Sequence, residues 1–456
     1  MLKNFDRKAL WIIIALAWPT MLEQFLQTAV QYIDTAMVGA LGTEATAAVG
    51  STTTINWLIN STISAISIGF LAYISRAIGA NNIEAAKKVS MQSVITTIIC
   101  GIIFTAVTVI LSPKIPVLMQ VEETIRPTAF KYFLILYLPM LPRTATIIFG
   151  TVLRASGDTK SPLKISLLVN IVNIILNFLL IYPSREVQIF GRNILLFGAG
   201  MGVVGAAIAS AVSFTVGGIL ITLKLFKHKI ISPKGIPFKV DKKILIPCFK
   251  IAFPNMLQRF GTSLGYVAFA TMINSLGGVA TAAHTIANTV ESAFYIPGYG
   301  MQTAAATLTG NALGAGNKKA MLSSARMINF VEVVLMVISG GLLFAFAPNM
   351  VSLFSKNSQV IFLGSTVLRM VALSEPFYGV SIVIEGMVQG VGNTKIPFIF
   401  NIVGMWGIRI FGTFICTRFL SLGLISAWGA MIAHNLLLFI MFFIYYITGK
   451  WNPFRS

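Results

Sequence analysis

A stripe of polar side chains in the first apolar segment is the feature most suited to carry chemistry. Thr20, Gln24, Gln27, Gln31 and Asp34 are separated by alternating steps of four and three, which places all five on one face of a helix. An aspartate at the centre of a membrane helix costs about 2.5–3.5 kcal/mol on insertion scales. We therefore expect the stripe to face the interior of a helical bundle or a water-filled cavity.

The members of this stripe admit different interpretations. Gln24, Gln27 and Gln31 could bind a substrate, or could only hydrogen-bond neighbouring helices, at about 0.6 kcal/mol each. Asp34 is the stronger functional candidate, because a buried carboxylate is ionisable and interhelical hydrogen bonding needs no charge. Pro19 precedes Asp34 in the same segment and could be a hinge that couples ion binding to gating, or only a static bend.

A second polar face lies on a later apolar segment. Asn170, Asn173 and Asn177 are separated by steps of three and four and so share one face of a helix. Their side-chain oxygens, with a carboxylate, suit a small hard cation, and their amides can hydrogen-bond a carboxyl group in either protonation state. We predict that Asp34 and these asparagines form a proton or sodium site, with Asn170 on its substrate side.

Carboxylates in the second half of the chain are secondary candidates for ion coupling. Glu291 could couple transport to an ion, or could neutralise Arg259 as a structural pair. Glu375 precedes a proline and is the other coupling candidate. Glu332 and Glu385 are expected near the cytoplasmic ends of their helices, where water would solvate them.

The composition excludes most classes of soluble protein. Of 456 residues, 56% are apolar and 11% charged, and the mean hydropathy is +0.83; soluble domains are about 25% charged. No nucleotide-binding or hydrolase motif occurs, and the three cysteines have no metal-ligand spacing. We therefore predict a polytopic membrane protein that is not an enzyme, has no cofactor and draws its energy from an ion gradient.

Twelve helical spans can be marked along the chain. They are 9–38, 49–75, 89–111, 129–153, 163–182, 200–223, 244–275, 281–309, 327–347, 360–389, 396–417 and 424–448. With both termini in the cytoplasm, the inner segments hold 22 Lys and Arg residues and the outer loops hold 6. This bias supports that orientation in the cell membrane. It also explains the net charge of +20 without nucleic-acid binding.

An internal repeat defines the architecture. One constant offset aligns the two halves of the chain at several separate stretches, and it places Gly157–Lys160 on Gly392–Lys395. We predict an all-α membrane protein of two parallel six-helix bundles, with lobes 1–223 and 244–456 joined by a basic cytoplasmic linker, 224–243. Such a repeat is typical of transporters. The repeat mate of Asp34 is Phe269, so ion coupling is expected in the N-terminal lobe.

Several motifs resemble those of multidrug and toxic compound extrusion (MATE) transporters. They are Asp34–Gly39 followed by Leu41-Gly42, Leu153–Thr159, Ala282–Ala287 and Leu313–Asn317. The resemblance implies a two-lobed, V-shaped antiporter that exports organic, often cationic, compounds in exchange for protons or sodium ions. It also implies that Asn173, Asn177 and Ser210 lie in the polar cluster of the N-terminal lobe. Some members have aspartate where this chain has Asn177.

The leading hypothesis is a monomeric antiporter that exports cationic or hydrophobic small molecules across the lipid bilayer. Because Asn177 replaces a second carboxylate, one negative charge must hold the ion, which weakens a dehydrated sodium site more than a protonated carboxyl group. Protons are therefore the favoured coupling ion. The alternative is a flippase for a lipid-linked cell-envelope precursor, whose pyrophosphate would need clustered arginines. Arg143, Arg259 and Arg409 lie on different predicted helices.

Overall fold

The chain is almost entirely helical. The computed structural model describes residues 7–119, 121–189 and 192–455; Lys3, counted above among the cytoplasmic basic residues, lies outside them. The helices of the N-terminal half are α1 (Arg7–Gly39), α2 (Thr43–Gly79), α3 (Ile83–Leu111), α4 (Ile115–Leu118), α5 (Arg126–Tyr137), α6 (Met140–Ala155), α7 (Lys160–Leu180) and α8 (Gly202–Phe226). Those of the C-terminal half are α9 (Lys242–Asn274), α10 (Gly278–Phe294), α11 (Ile296–Gly314), α12 (Lys318–Ser352), α13 (Ser358–Ala372), α14 (Glu375–Gly390), α15 (Lys395–Ile402), α16 (Phe411–Phe414) and α17 (Leu424–Ile447).

The described helices support eight of the twelve predicted spans, or up to ten if each of two bent helix pairs is one span. Among the described residues, eight helices are long and apolar enough to cross a membrane singly, and they are α1, α2, α3, α7, α8, α12, the helix Lys395–Phe419 and α17. Two bent pairs, α5–α6 at 51° and α13–α14 at 55°, add two more spans if each pair crosses the membrane as one unit. The predicted spans 244–275 and 281–309 correspond in position to α9 and to the pair α10–α11, which are not among these helices.

Prolines explain why three predicted spans are broken. Pro139 lies between α5 and α6, Pro297 is in the first turn of α11, and Pro376 is in the first turn of α14. Proline has no N–H to donate, and its ring clashes with the preceding turn of a helix, so each helix restarts at the proline. The predicted segments 129–153, 281–309 and 360–389 are therefore helix–break–helix units.

The span Lys395–Phe419 contains two widened, π-helical stretches, Val403–Ile410 and Ile415–Phe419. Periodicity of apolar residues does not distinguish this winding from a regular α-helix, so no pattern in the sequence indicated it. The first stretch carries Arg409, which is buried. Its Cζ lies 4.8 Å and 4.2 Å from the ring centroids of Tyr266 and Phe269.

An antiparallel β-hairpin lies where the sequence indicated only a loop between two spans. Its strands are β1 (Pro183–Ile189) and β2 (Arg192–Ala199). The hairpin fixes the corner between α7 and α8, because the Gly200 and Met201 amides donate to the carbonyls of Tyr182 and Leu180. The polar–apolar alternation in β1 is the signal that could have predicted it.

Two compact units divide the chain. One comprises Met1–Met21, Ile68–Asn82 and Ile246–Ser456, and the other comprises Leu22–Ser67 and Ile83–Leu245. Their limits differ from the repeat-based lobes, because α1 and α2 each run from one unit into the other and the basic linker belongs to the second unit. The compact units are defined by contacts, whereas the lobes 1–223 and 244–456 are defined by the sequence repeat. The lobe boundaries therefore stay a prediction.

The basic linker is a packed segment. Gln92 of α3 donates from Nε2 to the Lys239 carbonyl over 2.8 Å and accepts from the Asp241 amide over 3.0 Å. Ile231 is fully buried, and the Ser232 hydroxyl donates to the Phe226 carbonyl over 2.7 Å. These contacts anchor the linker to the helices of its own unit.

Candidate functional site

The predicted N-terminal cluster is assembled as a chain of hydrogen bonds. Asn177 Nδ2 donates to Asp34 Oδ1 over 2.6 Å and to Asn173 Oδ1 over 3.2 Å. Asn173 Nδ2 in turn donates to Ser210 Oγ over 3.2 Å. Three helices, α1, α7 and α8, therefore bring one carboxylate, two amides and one hydroxyl together.

Local packing fixes the elements that carry this cluster. Asn173 and Asn177 are one turn apart on α7 and both are buried. The Tyr182 hydroxyl donates to the Met37 carbonyl over 2.9 Å, which ties the last turns of α1 to the end of α7. Around it, Ile181 and Val203 pack with Met37 in one apolar cluster. Asp34 is thereby held against α7 by both polar and apolar contacts.

Some polar atoms near the cluster have no partner among the described residues. Asn177 Oδ1 and Asn170 Nδ2 are buried and make no hydrogen bond there. Asn170 shares the α7 face of Asn173 and Asn177 but does not join their hydrogen-bonded chain. The Asp34 carboxylate, which is half-buried, could take up a proton or bind a cation, and the unpartnered Asn177 oxygen could coordinate a cation.

The glutamines of the α1 stripe are exposed. The side chains of these residues, Gln24, Gln27 and Gln31, are accessible and make no hydrogen bond within the described part of the chain. The alternative that they only hydrogen-bond neighbouring helices therefore has no support. Glu23, beside the stripe, is buried and pairs with Arg154 Nη1 at 3.0 Å. This ion pair fastens α1 to the C-terminal end of α6, whereas Asp34 forms no ion pair with a described residue.

In the other unit, Glu291 and Glu375 are both almost fully buried. Glu291 interacts electrostatically with Arg409, and no ion pair joins it to Arg259 in the described residues. Arg409 lies on the π-helical stretch, and no pattern in the sequence indicated its interaction with Glu291. Glu375 begins α14, and its Oε2 has no partner among the described groups.

Glu332 and Glu385 were expected in water near the cytoplasmic ends of helices, and that expectation is wrong. Glu332 is fully buried, with both carboxylate oxygens unpartnered in the described structure. Glu385 is also buried and accepts hydrogen bonds from three amides over 2.9–3.1 Å. The donors are Gln258, Gln389 and Asn401. The position of a residue along a span predicts how deep it lies in the membrane. Whether its side chain is buried depends on the helices packed around it.

The family model MatE matches this chain twice, at residues 19–179 and 254–415. The first match begins at Pro19 and the second at Pro254, which are repeat mates under the offset found in the sequence. Together the matches cover well over half of the chain. They confirm the parallel repeat and the resemblance stated from the motifs.

Relatives and solved structures agree with this match. The probable multidrug resistance protein NorM of Thermotoga maritima is 29% identical over 448 residues, covering 96% of this chain and 92% of the relative. The FAD transporter of Shewanella oneidensis is 27% identical over 338 residues, covering 72% of this chain and 70% of the relative. A MOP superfamily transporter from Pyrococcus furiosus has the same fold, with a TM-score of 0.87 at 23% identity over 97% of this chain and 96% of that one.

Proposed function

Because the chain belongs to the MatE family, we propose that it is an antiporter that exports cationic or hydrophobic organic compounds in exchange for an ion. The observation that carries the proposal is Asp34, a half-buried carboxylate positioned by Asn177. Asp34 forms no ion pair with any described residue. A single uncompensated negative charge in a helical bundle attracts either a small ion or a cationic substrate.

Exchange follows from competition for that charge. A buried carboxylate is costly unless it is neutralised, and a proton, a metal ion or an organic cation can each neutralise Asp34. When one occupant replaces another, the charge of the site is conserved. If the ion and the substrate each bind one of two conformations of the protein more tightly, the entry of the ion is coupled to the export of the substrate.

The hydrogen bonds at Asp34 favour the proton as the coupling ion. Asn177 presents its N–H to Asp34, and the same amide also donates to Asn173. A sodium ion would need the amide oxygen in place of this N–H, together with several further oxygen ligands. A proton needs only the second carboxylate oxygen of Asp34.

Pro19 is the proposed hinge of α1. It is buried within the helix, and α1 leaves the first compact unit just after it, at Met21. The proline removes a backbone hydrogen bond of the preceding turn. A bend at this point would move the segment carrying Asp34 relative to the start of its own helix.

Efflux from proteoliposomes tests the function and the site together. With the membrane potential clamped, a pH step should drive export of an organic cation by the wild-type protein, and sodium at fixed pH should have no effect. Asp34→Asn should reduce gradient-driven export at least tenfold, because the neutral amide cannot exchange a proton for a cation. Glu291→Gln should reduce it less, since the main exchange charge lies on α1.

Glu44→Gln is the matched control, because Glu44 is an exposed carboxylate at the start of α2 and should not affect export. Normal export by Asp34→Asn would refute the assignment of the site. Stimulation by sodium that disappears in Asp34→Asn would replace the proton by sodium.

A second candidate is export of an anionic compound, which the similarity to the Shewanella oneidensis FAD transporter favours. Flipping a lipid-linked pyrophosphate is less well supported, because it needs clustered arginines. Arg143, Arg259 and Arg409 lie on three different helices, which are α6, α9 and the span Lys395–Phe419. Transport assays separate these candidates: an exporter of anions should transport flavin adenine dinucleotide, and an exporter of cations should transport an organic cation.

A further inference from the structure

Arg143, in the first turn of α6, is a buried cation without an anionic partner. Its side chain is 4% exposed, and it forms no ion pair with a described residue. Arg154, on the same helix, differs because Glu23 neutralises it. A buried charge without a counter-charge is strongly destabilising.

Two asparagines hold the guanidinium and leave one of its nitrogens free. Arg143 Nε donates to Asn60 Oδ1 over 3.2 Å, and Nη2 donates to Asn56 Oδ1. Asn60 Nδ2 also donates to Asn56 Oδ1 over 3.3 Å. Arg143 Nη1 is buried and has no partner in the described structure. The amides orient the group but carry no charge, so the full positive charge remains.

Aromatic rings support the guanidinium without neutralising it. Its Cζ lies 4.6 Å from the centroid of the Phe214 ring and 5.1 Å from that of Tyr137. Such cation–π contacts offset only part of the cost of burying an ion. Asn56 and Asn60, which hold the guanidinium, are only half-buried.

The charge balance points to a carboxylate as the missing partner. Asn60 and Asn56 take the N–H of Nε and one N–H of Nη2, so both N–H groups of Nη1 and the second one of Nη2 remain as donors. A carboxylate can accept from Nη1 and Nη2 together, and as a monoanion it neutralises the single positive charge. Within the same unit, Tyr132 interacts electrostatically with both Asp34 and Arg143. Asp34 and Arg143 thus act on the same tyrosine and form no ion pair with each other in the described residues.

We propose that Arg143, oriented by Asn56 and Asn60, binds the carboxylate of a zwitterionic substrate whose cationic group is bound at Asp34. This inference rests on the proposed export of organic cations and specifies the class of compound. The first turn of α6, which carries Arg143, would then recognise the carboxylate of the substrate.

Binding of a matched probe pair to the purified full-length protein in nanodiscs tests the proposal. The probes are a fluorescent arylalkylamine that carries a carboxylate and the methyl ester of the same compound; a phosphonate analogue is the third probe. The wild-type protein should bind the free acid about tenfold more tightly than the ester, as expected for hydrogen bonds to a charged group. Arg143→Gln should remove this preference and leave the affinity for the ester unchanged.

Asn56→Asp provides a second test that keeps the arginine. The new carboxylate would lie on Nη2 and compete with the substrate, so the preference for the free acid should again disappear. Arg369→Gln is the matched control, because Arg369 is exposed on α13, and this variant should retain the preference.

Several outcomes would overturn the inference. They are a wild-type protein without preference for the acid, an equal loss of acid and ester in Arg143→Gln, and tighter binding of the phosphonate than of the carboxylate. If the ester is bound and exported in each of these cases, the proposed function stands. If no amine probe is bound or exported, the proposed function itself fails.

Discussion

At the scale of single residues, the buried carboxylates differ in how the chain stabilises them. Glu23 has a cation, Glu385 has three amide donors, Asp34 has one amide donor, and Glu332 has no hydrogen-bond partner among the described groups. A carboxylate that is stabilised by a cation or by several hydrogen-bond donors does not need an exchangeable ion to offset its charge. Asp34 combines one fixed donor with a side that remains accessible, which suits an exchange site.

His228 in the basic linker is the titratable residue whose environment makes a pH effect testable. Its Nδ1 accepts from the Ile230 and Ile231 amides over 3.2 and 3.3 Å. Burial lowers the pKa of His228 below its usual value of 6.5, which the charge of Asp158 partly offsets. The folded turn therefore favours neutral histidine, because a proton on Nδ1 would break both hydrogen bonds.

The stability of the His228 turn should depend on pH. The stabilisation of this turn is fully present above pH 6.5 and is lost as the pH falls through the lowered pKa of His228. We expect the Ile230 and Ile231 amides to lose protection from hydrogen exchange between pH 7.5 and pH 5, after correction for intrinsic rates. His228→Asn keeps an acceptor that does not titrate, and should abolish this loss. Unchanged protection in the wild-type protein would contradict the prediction.

At the scale of elements, α11 and α14 approach each other closely through glycine. A Cβ built on Gly386 would lie 2.4 Å from the Gln302 carbonyl oxygen, and one on Gly390 would lie 2.2 Å from that of Ala306. These glycines are one helical turn apart and form a small-residue ridge, which allows helix backbones to pack tightly in membranes. The Thr309 hydroxyl, 3.2 Å from the Met387 carbonyl, donates across the same interface.

Gly390→Ala should therefore destabilise the protein. Its methyl group would meet backbone atoms, which can move only if the helix moves, and overpacking of this kind costs about 1–3 kcal/mol. The expected result is a clear fall in thermal unfolding temperature in detergent. Gly429→Ala in α17 is the control, because no neighbouring atom lies within 4 Å of its built Cβ. Equal unfolding temperatures for Gly390→Ala and the wild-type protein would show that the interface can relax.

At the scale of the whole molecule, the charge bias of the loops makes a prediction about orientation. We propose that the linker and both termini are cytoplasmic. Ser232, in the middle of the linker, is hydrogen-bonded and half-buried, so a labelling probe belongs at the exposed Lys234. In a protein without its three native cysteines, Lys234→Cys should resist an impermeant thiol reagent applied to intact cells.

Lys356→Cys is the matched control. Lys356 is exposed in the loop between α12 and α13, which this orientation places outside, so the same reagent should label it readily. Both positions should react in cells made permeable with detergent. Labelling of Lys234→Cys and protection of Lys356→Cys in intact cells would reverse the proposed orientation.

The sequence by itself determined the class of protein and the repeat. Apolar segments of about 20 residues can satisfy their backbone in lipid only as helices, so composition and length constrain the answer strongly. The repeat is a direct property of the sequence. The steps of three and four also predicted correctly that Asn173 and Asn177 would share one helical face and that this face could meet Asp34.

The tertiary structure decided which charges meet and where the helices break. Glu291 interacts electrostatically with Arg409, Glu332 is fully buried, and Arg143 has amide partners but no anion among the described residues. Spacing along one helix fixes the face of a side chain. The identity of its partner depends on helix rotation, on bending and on neighbours that are distant in the chain. Those quantities arise from packing of the whole bundle, and no local pattern encodes them.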